Sequence, residues 1–204
     1  MKKILTIVLI LVFTVFSLYA FDDLDDDDDG FYSFSNITTG YGAVSNSDSG
    51  LINSIDLGFS FNFAGMDDTR SFGIGLGTRC DVLFGAGNNR RFIGVDCLIG
   101  PFFNFRLNKA TSINLTVGPD FGAYTYGNNT DYFAIGPGAD VSVVLTPPTM
   151  NVFSFAAGIV GSAKFPVSSY DSSMYFSAIP YVAFNFNFTP APYYYYPYGA
   201  LVIY

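Results

Sequence analysis

Apolar and non-apolar residues alternate along the chain from Leu51 to Phe188 with almost no interruption. In the first segment of this kind, one parity holds Leu51, Ile55, Leu57, Phe59, Phe61 and Phe63, and the other holds Ile52, Ser54, Asp56, Gly58, Ser60 and Asn62. Successive side chains of a strand point to opposite faces, so each segment has one apolar face and one small or polar face. The pattern predicts an all-β fold, an eight-stranded antiparallel up-and-down transmembrane β-barrel with lipid outside and a polar lumen.

Eight segments carry this pattern, the first of them least regularly. The predicted strands are Phe31–Val44, Leu51–Ala64, Ser71–Phe84, Phe92–Leu107, Ser112–Thr125, Phe133–Thr146, Val152–Phe165 and Tyr175–Phe188. The turns between them are short and rich in Gly, Asn, Asp and Ser. Four prolines fall inside predicted strands on the outward parity, where they predict bulges or local bends: Pro101, Pro119, Pro137 and Pro180.

The ends of the chain are organised differently from the barrel, residues 31–188. Residues 1–20 read as a secretory signal peptide, with Lys2 and Lys3 before an apolar run and cleavage after Ala20; the alternative is an uncleaved anchor helix. Residues 21–30 form an acidic arm that we expect to be disordered, either a solvated tail or a divalent-cation site. Residues 189–204 form a Pro/Tyr-rich tail, either a periplasmic extension or a segment that pairs with a sheet edge.

Composition excludes several functions. Signal-peptide cleavage removes two of the nine basic residues and none of the 17 acids, so the net charge falls from −8 to about −10. No basic patch is available to neutralise phosphates, so nucleic acid is not an expected partner. The chain contains no His and no Glu, and barrel enzymes of the outer membrane need a His, so we expect no enzyme activity and no cofactor.

All charged residues within strands two to eight have inward parity: Asp56, Arg79, Asp81, Asp96, Arg106, Asp120, Asp140 and Lys164. Pairing Phe84 with Ile93 places Asp81 opposite Asp96, and pairing Phe63 with Phe72 places Asp56 opposite Arg79. Asp120 and Asp140 are expected to approach each other in the same way. These positions predict five Asp near a single central Arg, with the excess charge relieved by protonation or by an entering cation or water.

Two interpretations of this interior stay open. A polar network could fill the narrow barrel, as side chains usually do in eight-stranded barrels. Alternatively, the Asp residues could line a cation-preferring path, because many inward positions are Gly or Ser. Bulky inward residues such as Phe92, Phe102, Tyr124, Tyr175 and Tyr181 could close that path.

Cys80 and Cys97 also face each other in the pairing of strands three and four. They are either a disulfide, which an oxidising periplasm permits, or two small apolar residues facing lipid. No Cys-x-x-Cys or His/Cys spacing is present, so no metal site is expected.

The stretch from Val182 to Phe188 resembles the terminal assembly signal of bacterial outer-membrane proteins, with alternating hydrophobic residues that end in an aromatic: Val182, Phe184, Phe186 and Phe188. That signal normally ends the chain, whereas sixteen residues follow it here. With its signal peptide and eight strands, the chain resembles the small outer-membrane barrels of the OmpA and OmpX class, and its repeated Gly-Pro resembles small spirochaete barrels. The resemblance implies a bacterial outer-membrane location, contact with outer-membrane lipid, and recognition by the barrel-assembly machinery.

Three functions are consistent with the sequence. The first is a structural or surface-interaction barrel whose short loops meet an unidentified host or environmental ligand. The alternative is a narrow porin-like channel for small ions or solutes with an Asp-lined lumen. The second alternative is a secreted β-sandwich binding protein.

Overall fold

The computed structural model describes residues 31–46, 50–66, 71–87, 90–108, 110–126, 130–147, 153–167 and 174–187. The predicted signal peptide, the acidic arm and the C-terminal tail lie outside these ranges. The described residues form eight strands: β1 Phe31–Asn46, β2 Gly50–Met66, β3 Phe72–Gly87, β4 Arg90–Asn108, β5 Thr111–Tyr126, β6 Thr130–Leu145, β7 Phe153–Pro166 and β8 Tyr175–Asn187. The period-two pattern therefore located every strand, and most strands extend a few residues beyond the predicted limits.

The eight strands close into one barrel. Each strand pairs antiparallel with the next along the chain, and β1 pairs with β8 from Phe34 opposite Asn187 to Asn46 opposite Tyr175. The predicted fold class, an eight-stranded up-and-down barrel, is confirmed. All strands of the described residues belong to this one closed sheet, so the β-sandwich alternative, which needs two packed sheets, is wrong.

The two ends of the barrel differ in what they carry. β1 begins and β8 ends at one end, here called the terminal end, which also holds the β2–β3, β4–β5 and β6–β7 turns. The opposite end, here called the loop end, holds the other four turns. At the loop end Gly50 opens β2 with a φ of 67°, a backbone conformation that glycine adopts without the steric cost of a Cβ.

The strand registers test the predicted pairings directly. Phe84 lies opposite Ile93 and Asp81 opposite Asp96, so the β3–β4 register is the predicted one. Between β2 and β3, however, Phe63 lies opposite Leu76 instead of Phe72, and Asp56 lies opposite Leu83. This shift of four residues leaves every side chain on its predicted face, because the face depends only on parity.

The four in-strand prolines interrupt hydrogen bonding without shifting the register. Between β4 and β5, pairing stops after Leu98 opposite Asp120 and resumes in the same register at Phe102 opposite Thr116, across Pro101 and Pro119. Proline lacks the N–H that a ladder bond needs, which explains the gap. None of the four prolines shifts the register, so of the two predicted alternatives, bulges or local bends, the bulges are wrong. The register shift of the β4–β5 pair lies between Arg106 and Asn108.

The two faces of the barrel have opposite character. Large apolar side chains are exposed on the outer face of every strand except β5, whose apolar outer residues are half-buried. Examples are Ile37, Leu57, Phe84 and Phe155, with Leu57 53% exposed. Inside, charged and amide side chains are buried. In the described part of the chain, no helix is long and apolar enough to cross a membrane.

Candidate functional site

The buried polar interior is the candidate site, since it gathers most of the charges that the sequence singled out. Six of the eight charged residues are buried in the lumen: Asp56, Arg79, Asp81, Asp96, Asp120 and Lys164. Asp140 keeps 13% of its side chain exposed, and Arg106 lies partly buried near the terminal end of β4, opposite Ser112. All eight residues have the parity that the sequence pattern assigns to the inner face of β2 to β8.

Arg79 on β3 is the centre of the first ion cluster, which we call the Arg79 cluster. Its Nε donates to Asp81 at 2.8 Å, its Nη2 lies 3.2 Å from Asp56, and its Nη1 lies 3.3 Å from Asp140. Nη2 also donates to the Thr38 hydroxyl at 3.1 Å. Arg79 as a whole residue is only 2% exposed. Through these contacts its planar guanidinium, which has five N–H donors, joins β1, β2, β3 and β6 inside the barrel.

The Arg79 side chain fits because its surroundings are shaped for it. A Cβ on Gly58 would collide with Oδ1 of Asp81 and Oγ1 of Thr38, so a larger residue there would displace two atoms that bind the Arg79 guanidinium. On the other side, the Tyr181 ring lies 4.0 Å from the guanidinium carbon, a cation–π contact. The Tyr181 hydroxyl donates to Asp140 at 2.6 Å, which ties β8 to the same cluster.

Lys164 on β7 is the centre of a second cluster, the Lys164 cluster. Its Nζ lies 2.7 Å from Oδ1 of Asp96 and 2.9 Å from Oδ2 of Asp120, and it donates to the Tyr124 hydroxyl at 2.7 Å. Tyr124 in turn donates to Asp96 at 2.5 Å. Lys164 is completely buried, and it reaches across the lumen from β7 to carboxylates on β4 and β5.

The two clusters correct the predicted arrangement of charges. The sequence predicted five Asp around a single Arg, whereas the structure divides them between Arg79, with three, and Lys164, with two. Asp120 and Asp140 were expected to approach each other, but they belong to different clusters, and the residue opposite Asp140 is Thr116. Hairpin pairing describes neighbouring strands only, so it missed contacts that cross the lumen.

Buried apolar side chains pack together inside the barrel towards both ends. Towards the loop end, the Tyr124 ring stacks between Phe92 and Tyr175, with centroid distances of 5.5 Å and 5.1 Å. Towards the terminal end, Phe34 packs edge-on against Phe102 at 5.8 Å. All five residues are at most 2% exposed. The ion clusters therefore lie between two apolar layers.

An amide layer near the terminal end was missed by the sequence analysis. Asn104 donates to Asn114 at 2.6 Å, and Asn185 donates to Ser154 at 3.0 Å. Asn62, also buried, donates to Ser60 at 3.1 Å. Their inward parity was visible in the sequence, but a neutral amide is not distinguished there from the other small polar residues that share the inward face.

Two predicted features lie on the outer face. Cys80 and Cys97 are directly opposed and half-buried. In the predicted assembly signal, Val182 and Phe184 are exposed on β8 and Phe186 is half-buried, while Phe188 lies outside the described residues. In the part of the chain that the structure describes, no group of three or more His, Cys, Asp or Glu is arranged to hold a metal ion.

No protein-family model and no curated protein sequence matches the chain. Among solved structures, Neisserial surface protein A is 12% identical with a TM-score of 0.59, and the match covers 78% of this chain and 97% of that one. The attachment invasion locus protein Ail of Yersinia pestis is 14% identical with a TM-score of 0.48, covering 78% and 100%. This chain has the fold of the small eight-stranded outer-membrane β-barrels, the class to which the OmpA and OmpX barrels belong.

Proposed function

We propose that this protein is an integral barrel of the bacterial outer membrane that acts through its surface-exposed loop end and catalyses no reaction. The observation that carries the proposal is the distribution of side chains, which is the reverse of that in a water-soluble protein. Apolar side chains such as Leu57 and Phe155 face outward, while Arg79 and Lys164 are buried inside. Such a surface is unfavourable in water and matches the hydrocarbon of a bilayer, where a closed barrel satisfies its own backbone hydrogen bonds.

The proposed orientation places both ends of the chain on the periplasmic side. An even number of strands returns the chain to the terminal end, which we assign to the periplasm together with the acidic arm and the tail. The loop end then faces outward and presents four short turns to a host or environmental ligand. The alternating residues from Val182 to Phe186 on β8 support recognition by the barrel-assembly machinery during insertion.

An epitope tag inserted at two positions tests this orientation. With the tag between Asn128 and Asn129, at the loop end, we expect antibody to label intact cells. With the same tag between Asp68 and Thr69, at the terminal end, we expect labelling only after the outer membrane is permeabilised. Both proteins must migrate differently with and without boiling, which shows that the barrel has folded. Labelling of intact cells through the second tag alone would reverse the orientation.

The filled lumen argues against the channel alternative, and conductance measures the difference. Because two apolar layers enclose the ion clusters, we expect the purified barrel to show no ion conductance in planar bilayers, with a general porin as the positive control. Cation-selective steps that disappear in Asp140→Asn would contradict the closed lumen. Asp140 is the informative position because part of its carboxylate side chain is exposed.

A further inference from the structure

Cys80 on β3 and Cys97 on β4 are placed for a covalent bond. They are directly opposed, and their sulfur atoms lie 2.7 Å apart as free thiols. The β3–β4 ladder runs from Phe72 opposite Phe105 to Gly87 opposite Arg90 without a register shift. Directly opposed residues of antiparallel strands have Cα atoms about 4.5–5.5 Å apart, within the range that disulfides span. The opposed positions and the contact between the two sulfur atoms are therefore compatible with a disulfide.

The lumen side of the same strands shows what such a bond would do. Asp81 follows Cys80 and Asp96 precedes Cys97, so these two carboxylates are directly opposed on the inner face. Like charges opposite each other weaken a strand pair. Asp81 is held by Arg79 and Asp96 by Lys164, so each carboxylate depends on a different cation. A bond at the adjacent rung would keep β3 and β4 together where their charges repel.

We propose that Cys80 and Cys97 form an intrachain disulfide that holds β3 to β4 beside the opposed carboxylates Asp81 and Asp96. The proposal rests on the export of the chain under the proposed function, because the periplasm is oxidising. On the outer face, Phe59 lies opposite Cys80 and Phe121 opposite Cys97, so aromatic residues flank the pair on both sides. The pair therefore belongs to the apolar outer face of the barrel.

The reaction is a thiol–disulfide exchange with a periplasmic protein disulfide as oxidant. One cysteine thiolate attacks the oxidant's S–S bond and forms a mixed disulfide, and the second thiolate then attacks the cysteine sulfur in that bond. The two cysteines lose two electrons and two protons, and the oxidant leaves as a dithiol. A thiolate facing lipid is unfavourable, so the exchange takes place before the strands enter the membrane.

Thiol labelling of the full chain, purified from the outer membrane of a host with a periplasmic disulfide oxidant, tests the bond. The protein is denatured in excess maleimide, with or without prior reduction, and its intact mass is measured. We expect no label without reduction and two labels after it. Cys80→Ser and Cys97→Ser must each take one label without reduction, which shows that labelling is complete. Two labels on the unreduced, unsubstituted protein, or a disulfide-linked dimer, would overturn the proposal.

The role of the bond is tested separately by the temperature at which the folded gel band is lost. Reductant should lower this temperature by several degrees in the unsubstituted protein and leave it unchanged in Cys80→Ala/Cys97→Ala. An equal effect of reductant on both proteins would contradict the stabilising role. A heat-modifiable outer-membrane barrel with two free thiols would contradict only the disulfide. Absence of the chain from the outer membrane would contradict the proposed function, and the disulfide that rests on it.

Discussion

Arg79→Met is expected to lower the free energy of unfolding by about 3–5 kcal/mol, since it removes the cation at the centre of a buried cluster and leaves its carboxylates uncompensated. The substitution deletes the ion pairs with Asp56, Asp81 and Asp140 while keeping much of the apolar volume. Urea unfolding of the barrel in lipid vesicles, followed by tyrosine fluorescence, gives the free energy.

Two controls separate the charge of Arg79 from its geometry. Arg79→Lys keeps the positive charge but loses the planar fork, so we expect an intermediate loss. Arg106→Met makes the same chemical change at a partly buried position, where water can solvate the groups left behind, so we expect a smaller loss than in Arg79→Met. Equal losses in Arg79→Met and Arg106→Met would contradict the central position of Arg79.

Lys164→Met is expected to have a loss of similar size, about 3–5 kcal/mol, because Asp96 and Asp120 then remain buried without their cation. The structure also indicates two substitutions that should restore the stability lost in this variant. Adding Asp96→Asn and Asp120→Asn removes the uncompensated charges, so the triple variant should recover most of the lost stability. The same urea titration in vesicles measures all three proteins.

A failure of this rescue would show that Lys164 acts through packing and not through its charge.

The two clusters meet where Asp81 and Asp96 are opposed, so their effects should not be independent. We therefore expect Arg79→Met/Lys164→Met to differ from the sum of the single variants by more than about 0.5 kcal/mol, the limit that is usual for independent sites. Strict additivity would mean that the clusters are energetically separate.

The sequence predicted the fold because a barrel depends on one simple periodicity. Parity placed Leu57 outside and Lys164 inside, and both assignments hold in the structure. The register was less certain because an even shift preserves parity. Between β3 and β4 the turn is short and the predicted register holds, but a longer turn between β2 and β3 let Asp56 move four residues from its predicted partner.

The sequence predicted which charged residues lie inside the barrel, but it did not predict which of them contact each other. The inward charges were all recognised, yet the role of Lys164 was not, because it lies on β7 and its partners lie on β4 and β5. Only the curvature of the closed barrel brings these strands face to face. Gly58 was recognised only as a small inward residue, and its role in making room for Arg79 depends on the three-dimensional path of that side chain.

The β1–β8 pairing has a consequence for how the barrel is assembled. Every other pair of strands is joined by a short turn, so each of those pairings is local. Only the β1–β8 pairing joins residues from the two ends of the barrel segment, for example Ile37 opposite Phe184. Bringing such distant residues together is the step with the greatest loop-closure entropy. A chain cut short before β8 would keep two unpaired edges in lipid, so we expect such a chain not to insert as a stable barrel.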